Sequence, residues 1–168
     1  KKSYEILSNH PINQERKKKG LNPGNSLWLW GAGTKPQLTD FKEKFHKKGA
    51  MISAVDLLKG IAVGTGMVNL TVEGATGGLH TDYEGKARAA LNALLKDSFD
   101  FAYIHVEAPD EMGHQGSIEK KVQAIEYLDE RVIRLVKEGL DASGEDYRML
   151  ILPDHPTPIH VKTHTGNP

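Results

Sequence analysis

Phe99-Asp-Phe-Ala-Tyr-Ile-His-Val106 is a short apolar run, and Glu107-Ala-Pro-Asp-Glu-Met-Gly-His114 follows it at once. A run of this length reads as a strand buried on both faces, the kind found in parallel sheets. Working outward, Asp82 to Leu95 repeats apolar residues at helical spacing. On the other side Val122, Ile125, Leu128, Val132 and Leu135 recur at three- and four-residue steps, which predicts one long amphipathic helix over about Ser117 to Glu138. Arg148 to Leu152 reads as the last strand. Towards the start, Met67 to Val72 and Ala50 to Ala54 read as strands, with helices over Val55 to Val63 and from Thr39 to about Lys48 and a flexible loop at Gly74 to Gly78. Ser3 to Asn9 and Pro11 to Lys19 read as short helices, the second with Pro in its first turn and Gly20 as a stop. Ser26-Leu27-Trp28-Leu29-Trp30 is β-like and ends at Gly31. Strands alternating with helices in this way give an α/β fold with a mostly parallel sheet flanked by helices, in one domain.

The 168 residues suffice for an ordinary core, and 38% hydrophobic with 26% charged is a globular composition. Lys+Arg and Asp+Glu both total 22, so no net field recruits nucleic acid or a membrane. The charge is uneven along the chain: residues 1 to 48 carry 11 basic and 4 acidic side chains, the remainder 11 and 18. A basic opening suits an anionic ligand; solvated helix faces are the plainer explanation. Zero cysteines exclude disulfides, thiolate metal sites and a Cys nucleophile, leaving His and carboxylate as the strong ligand types. No apolar run approaches the roughly 18 residues of a membrane span, and Lys1-Lys2 is not followed by a signal-peptide hydrophobic region. A cytoplasmic location is expected. The missing initiator Met and the stop just after a His-rich stretch suggest a piece excised from a longer protein.

In open sheets of this class ligands bind beyond the carboxyl ends of strands. The loops after Val106 and Leu152 are therefore the first places to look, and both carry carboxylate and imidazole. Asp110 and His114 stand four apart in a segment containing Gly113, a spacing that lets one helical turn or compact loop aim both at a single ion. Asp154-His155 ends the last predicted strand and is followed by Pro156 and Pro158, so a stiffened loop can turn both inward. Either pair alone is weak; two clusters, each after a predicted buried strand, point to metal. Ligation by O and N without thiolate suits Mn²⁺, Mg²⁺ or Zn²⁺.

Other motifs fail. Gly31-Ala-Gly33 would need a third Gly at position 36, where Pro36 stands, and neither a P-loop nor a Gly-x-Ser-x-Gly elbow occurs. Asn69-Leu-Thr71 fits a glycosylation sequon but reads as part of a strand. His10, His46, His80 and His105 lack ligand-like company and read as surface or hydrogen-bonded structural residues.

The ordered set of segments carries a resemblance. His10-Pro-Ile-Asn-Gln-Glu-Arg16, Asn25 to Gly33, Thr81-Asp-Tyr-Glu-Gly-Lys-Ala87, His105-Val-Glu-Ala-Pro-Asp-Glu-Met-Gly-His114 and Pro153-Asp-His-Pro-Thr-Pro158 together resemble the C-terminal part of the cofactor-independent phosphoglycerate mutases. The likeness is to their archaeal-type branch, within the alkaline phosphatase superfamily, and it spans nearly the whole chain. It implies a three-layer, alkaline phosphatase-like fold that is incomplete here, with residues 1–20 the trailing edge of an inserted domain or a linker and 21–168 the C-terminal portion of the metal-binding domain. It further implies two divalent ions, with Asp110, His114 and His164 on one and Asp154 and His155 as the downstream ligands of the other. The Thr-His-Thr context favours His164 over His160.

The activity implied is interconversion of 2- and 3-phosphoglycerate, a glycolytic step, through a phosphoserine whose Ser lies upstream of this chain. The metals would activate that Ser and neutralise charge on the transferring group. The chain alone would then be inactive. Arg16 and Lys86 are candidates to reach phosphate, with surface charges as the alternative. Two further readings stay open: a same-fold enzyme acting on another small phosphorylated metabolite, such as a homoserine kinase-like protein, and a non-catalytic module that binds metal or a partner chain. The sequence does not give the oligomeric state.

Overall fold

The structure is a computed structural model that describes residues 2–29 and 31–166. Two compact units divide the chain, Lys1–Pro36 and Gln37–Pro168.

In the first unit, helices α1 (Lys2–Ser8) and α2 (Pro11–Lys18) lie where the sequence places them. Pro11 opens α2, and His10 caps it through Nδ1, which accepts from the Ile12 amide at 3.3 Å. Asn13 is buried, and it ties α2 to the following loop by donating to Leu7 O and Gly24 O and accepting from Gly24 N. The predicted strand from Ser26 is not formed: residues 21–29 are irregular, and Trp30 lies outside the described residues. Leu27, Trp28 and Leu29 are exposed, with no neighbouring strand among the described residues to satisfy their backbone.

The second unit is built on three parallel strands in the order β2-β1-β3. Helix α3 (Phe41–Phe45) is shorter than predicted, because Asp40 caps it through Glu43 N and His46 stops it in the left-handed conformation at φ 55°. Strand β1 (Gly49–Ile52) is central and wholly buried. It leads through α4 (Asp56–Gly64) to β2 (Val68–Asn69), then through α5 (Tyr83–Leu95) to β3 (Phe101–Ile104). β1 pairs in register with β3 from Gly49↔Phe101 to Ile52↔Ile104. Successive crossovers run first to one side of β1 and then to the other, so the right-handed rule sets α4 and α5 on opposite faces of the sheet. The three-layer α/β expectation is borne out.

Two strand expectations are corrected. β3 is not buried on both faces: Phe101 and Tyr103 are more than a third exposed, because β3 has a neighbour on one side only. Arg148 to Leu152 is not a strand, since it has no partner among the described residues, and Leu150, Ile151 and Leu152 stand in solvent. The predicted strand Met67–Val72 shrinks to two residues, Val68 and Asn69, which pair with Ala50 and Met51.

After β3 come α6 (Ala108–His114) and α7 (Ile118–Leu128), the latter capped by Ser117 as the pattern predicts. The helix does not end at Glu138. It passes through a π-helical segment (Asp129–Ile133) into α8 (Arg134–Ser143) and stops at Gly144, φ 73°. The core gathers Leu79, Tyr83, Ala87, Ala108, Met112, Ala124, Val132, Val136 and Leu140. Its alanines leave room for α6 to pack on α7 and α5 on α8, and Arg131 of the π segment grips Glu84 of α5 through two hydrogen bonds of 2.5 and 2.8 Å.

Candidate metal centre

Asp110 and His114 sit one turn apart on α6, so both side chains leave the same helix face just beyond the carboxyl end of β3. His164 arrives from the loop that follows Pro158. One ligand atom from each of Asp110, His114 and His164 lies within 4.8 Å of the others. His160, four residues before His164, is exposed and outside the group.

The orientation of His114 decides what this cluster can do. Its Nδ1 lies 3.0 Å from Lys162 O. A carbonyl oxygen only accepts, so Nδ1 carries the proton and neutral His114 presents a bare lone pair at Nε2. That atom is 3.1 Å from His164 Nε2 and 3.3 Å from Asp110 Oδ2, while His164 Nε2 is 3.3 Å from Asp110 Oδ1. A bare lone pair that faces a carboxylate and a second imidazole can accept the proton of His164 Nε2 or hold a cation. A carbonyl that fixes the ring of a ligating histidine from behind is the usual support of a metal site.

Asp110 has a second support that the sequence reading missed. The hydroxyl of Thr157, which is buried, donates to Asp110 Oδ1, and Thr157 O accepts from Lys121 Nζ at 2.7 Å. A threonine within Pro-Thr-Pro carries no chemical signature of its own; only its burial against α6 reveals the contact. Gly113 makes that packing possible, since a Cβ there would stand 2.5 Å from Thr157 O.

Asp154 and His155 do not both turn inward. His155 stacks on His164, with ring centroids 3.6 Å apart, and its Nδ1 is 3.9 Å from Asp110 Oδ1. The Asp154 side chain stays 80% exposed, 3.8 Å from His155 Nε2. The segment is irregular, with a bend at His155, and its prolines do not bring both side chains inward.

His105 is not isolated as its sequence context suggests; it stands at the edge of the cluster, where the charges of Asp154, Asp110 and His155 act on it. Burial foremost, helped by the Lys86 charge, holds its pKa below the ordinary value. It shares a 3.3 Å hydrogen bond with Ser53 Oγ across the carboxyl ends of β1 and β3. The sheet order turns there, the place where open sheets bind ligands.

The two candidate phosphate contacts part company. Arg16 is exposed in the first unit and donates from Nε to Asn22 O at 2.8 Å. Lys86 is not a surface charge: it is wholly buried, and its Nζ donates to His105 O at 3.1 Å. Burial lowers its pKa and raises that of neighbouring Glu107, whose Oε2 is buried without a partner.

Comparison with known proteins follows from this geometry. The sequence pattern of the Metalloenzyme superfamily matches residues 6–168. The chain is 53% identical over 163 residues to a protein of Methanosarcina mazei named 2,3-bisphosphoglycerate-independent phosphoglycerate mutase, covering 97% of this chain and 41% of that one. It is 51% identical over 163 residues to a protein of Geobacter sulfurreducens named as a probable enzyme of the same kind, covering 40% of it. Among solved structures, the PH0037 protein from Pyrococcus horikoshii superposes on 98% of the chain, and 42% of its own, with a TM-score of 0.74 and 32% identity. The chain thus spans about two fifths of the length of these relatives.

Proposed function

The chain belongs to the Metalloenzyme superfamily, and from that footing we propose that it is the metal-binding portion of a 2,3-bisphosphoglycerate-independent phosphoglycerate mutase. The metal half of this reading is carried by the bare Nε2 of His114, which faces His164 and Asp110 with no proton to share. The substrate half is supported by the name that the relatives at 53% and 51% identity carry.

The donors fit a hard or borderline divalent ion: one carboxylate and two imidazoles, three ligands with room for a fourth. We assign Asp110, His114 and His164 to one ion and Asp154 with His155 to a second, with Mn²⁺, Mg²⁺ or Zn²⁺ as candidates and Mn²⁺ the first to test. Such ions, when bound, neutralise charge on a transferring phosphoryl group and lower the pKa of a nucleophilic hydroxyl. The protein's own work is positioning. Lys162 O fixes the His114 tautomer, Thr157 fixes the Asp110 carboxylate, and the stacked His155 and His164 rings hold each other's planes.

Phosphoglycerate is the proposed substrate, with transfer through a phosphoserine that we assign to the part of the relatives' length this chain does not span. By the family resemblance residues 1–20 end an inserted domain and 21–168 continue the metal-binding one. Arg16 remains the proposed phosphate contact. Lys86, enclosed as it is, is assigned to bracing His105. A glycolytic role and a cytoplasmic location belong to the same reading, which involves neither nucleic acid nor membrane; no helix among the described residues is long and apolar enough to cross a bilayer.

The test is to assay the protein, carried on the full length of its relatives, for conversion of 3- to 2-phosphoglycerate with each metal. Turnover without added bisphosphoglycerate is expected. ATP-dependent phosphorylation of homoserine with no mutase turnover would overturn the substrate. The 168-residue chain by itself is expected to bind metal and to show no turnover.

A further inference from the structure

We propose that Lys121 is a positioning residue for the metal centre: from α7 it pins Thr157 O and so docks the loop that carries His155 and His164 onto α6. What the loop delivers rests on the metal-centre reading; the docking rests on geometry alone.

The segment from His155 to Thr165 is a small closed loop. Thr165 N donates to Pro156 O at 3.1 Å, and Val161 N and Lys162 N donate to Pro158 O at 3.0 and 2.9 Å. These bonds shape the loop without holding it to the rest of the fold. Burial does not hold it either, since Thr157 is its one buried residue and most of the others are exposed. Little apolar area is removed from water, so polar contacts must do the docking.

The loop meets α6 through the Thr157 hydroxyl on Asp110 and through Lys162 O, 3.0 Å from His114 Nδ1. It meets α7 through Thr157 O, which accepts from Lys121 Nζ at 2.7 Å. The first two contacts are made to metal ligands themselves. Among the described residues, the hydrogen bond of Lys121 is the one tie to the helices from outside the ligand set. Its donor is charged and half-buried, and a charge-assisted hydrogen bond of this kind is about twice as strong as a neutral one. The fold also clears a place for it. A Cβ at Gly113 would stand 2.5 Å from Thr157 O and 3.0 Å from Lys121 Nζ, so bare backbone is what lets carbonyl and ammonium meet against α6.

Thr157 joins the two effects in one residue. Its carbonyl is held by Lys121 while its hydroxyl holds Asp110, so releasing the carbonyl frees the hydroxyl and the loop that brings His164. Charge alone predicts the opposite outcome. An ammonium near a cation site opposes the cation, and by its field its removal would tighten metal binding. The sign of the change therefore separates docking from electrostatics.

The experiment makes Lys121→Met in the full chain, which keeps the stem and a good helix former and removes the donor. Mn²⁺ affinity, measured by competition with a chelator, should fall about 10- to 100-fold. In a His164→Ala background the same substitution should cost less than about three-fold, because the ligand that the loop delivers is already gone. In EDTA, two-bond ¹H–¹⁵N NMR should show His114 in the Nδ1–H form in the wild type and a mixture of both tautomers in Lys121→Met, whose Lys162 carbonyl has moved away. Unchanged or tighter Mn²⁺ binding, an undiminished loss in the His164→Ala background, or His114 still in the Nδ1–H form in the variant would each overturn the proposal. Should Lys121→Met fail to fold, Gly113→Ala decides: its Cβ displaces the same carbonyl, and full affinity with an unchanged His114 tautomer would overturn the docking. A wild type that binds no Mn²⁺ would count against the metal-centre reading, while the tautomer in EDTA still judges the role of Lys121.

Discussion

The Nε2 atoms of His114 and His164 lie 3.1 Å apart, and the first of them has no proton to offer because Lys162 O holds it on the other nitrogen. Two imidazoles set this way are joined either by the proton of a neutral His164 at Nε2 or by a cation that both ligate. His114→Ala is accordingly expected to remove about one equivalent of bound metal by elemental analysis, since a three-ligand site reduced to two holds its ion weakly. Unchanged metal content would place the ion elsewhere.

Thr157 acts on the metal centre through Asp110, and its hydroxyl also lies 3.4 Å from His155 Nδ1. Thr157→Val keeps the volume and removes the hydroxyl that donates to Oδ1. Metal affinity measured by competition with a chelator should fall by about 10- to 100-fold, the usual range for a supporting contact, while the far-ultraviolet circular dichroism stays the same. A variant with full affinity would mean that Asp110 needs no such support.

Lys86 is buried beside the half-buried Glu107, with burial pushing the lysine pKa down and the carboxyl pKa up. Lys86→Met strands both the His105 carbonyl and the Glu107 charge, and should cost about 1–3 kcal/mol in urea unfolding. Adding Glu107→Gln should return part of this, giving a coupling of at least about 0.5 kcal/mol in the double-mutant cycle. Strict additivity would show that the two groups do not sense each other.

Glu84 makes an acid-dependent contribution through Arg131. Its pKa is held below the ordinary 4.5 chiefly by the hydrogen bonds from that guanidinium. A carboxyl lowered in the folded state gives stability that is fully present above its unfolded pKa and is lost as pH falls through the folded one. The unfolding midpoint of the wild type should therefore drop below about pH 4.5, and that of Glu84→Gln should drop less over the same range. Parallel pH profiles for the two proteins would remove Glu84 from the acid transition.

Much of the site was legible because metal ligands announce themselves by type and spacing. Asp110 and His114 are four apart, and four residues on a helix share a face; the structure puts them on α6 and adds His164. Thr157, His105 and Lys86 were opaque for the opposite reason. A threonine hydroxyl, a histidine in an apolar strand and a helix lysine are common anywhere, and what makes them matter is burial, which depends on the whole fold. The same limit explains the strands. The apolar run Arg148–Leu152 shows what a strand could use, whereas pairing needs a neighbour that those five residues do not specify.

The bare segment Leu150-Ile151-Leu152, with side chains 80, 59 and 72% exposed, bears on how this chain behaves in bulk. An exposed apolar run without a partner strand is a template on which another molecule can add one. The chain has no net charge at pH 7 and a pI near 7.3, so no mutual repulsion keeps copies apart at neutral pH. Concentrated solutions should cloud first around pH 7 and clear on moving a unit or two to either side, and Ile151→Lys, which places a charge on the run, should widen the clear range.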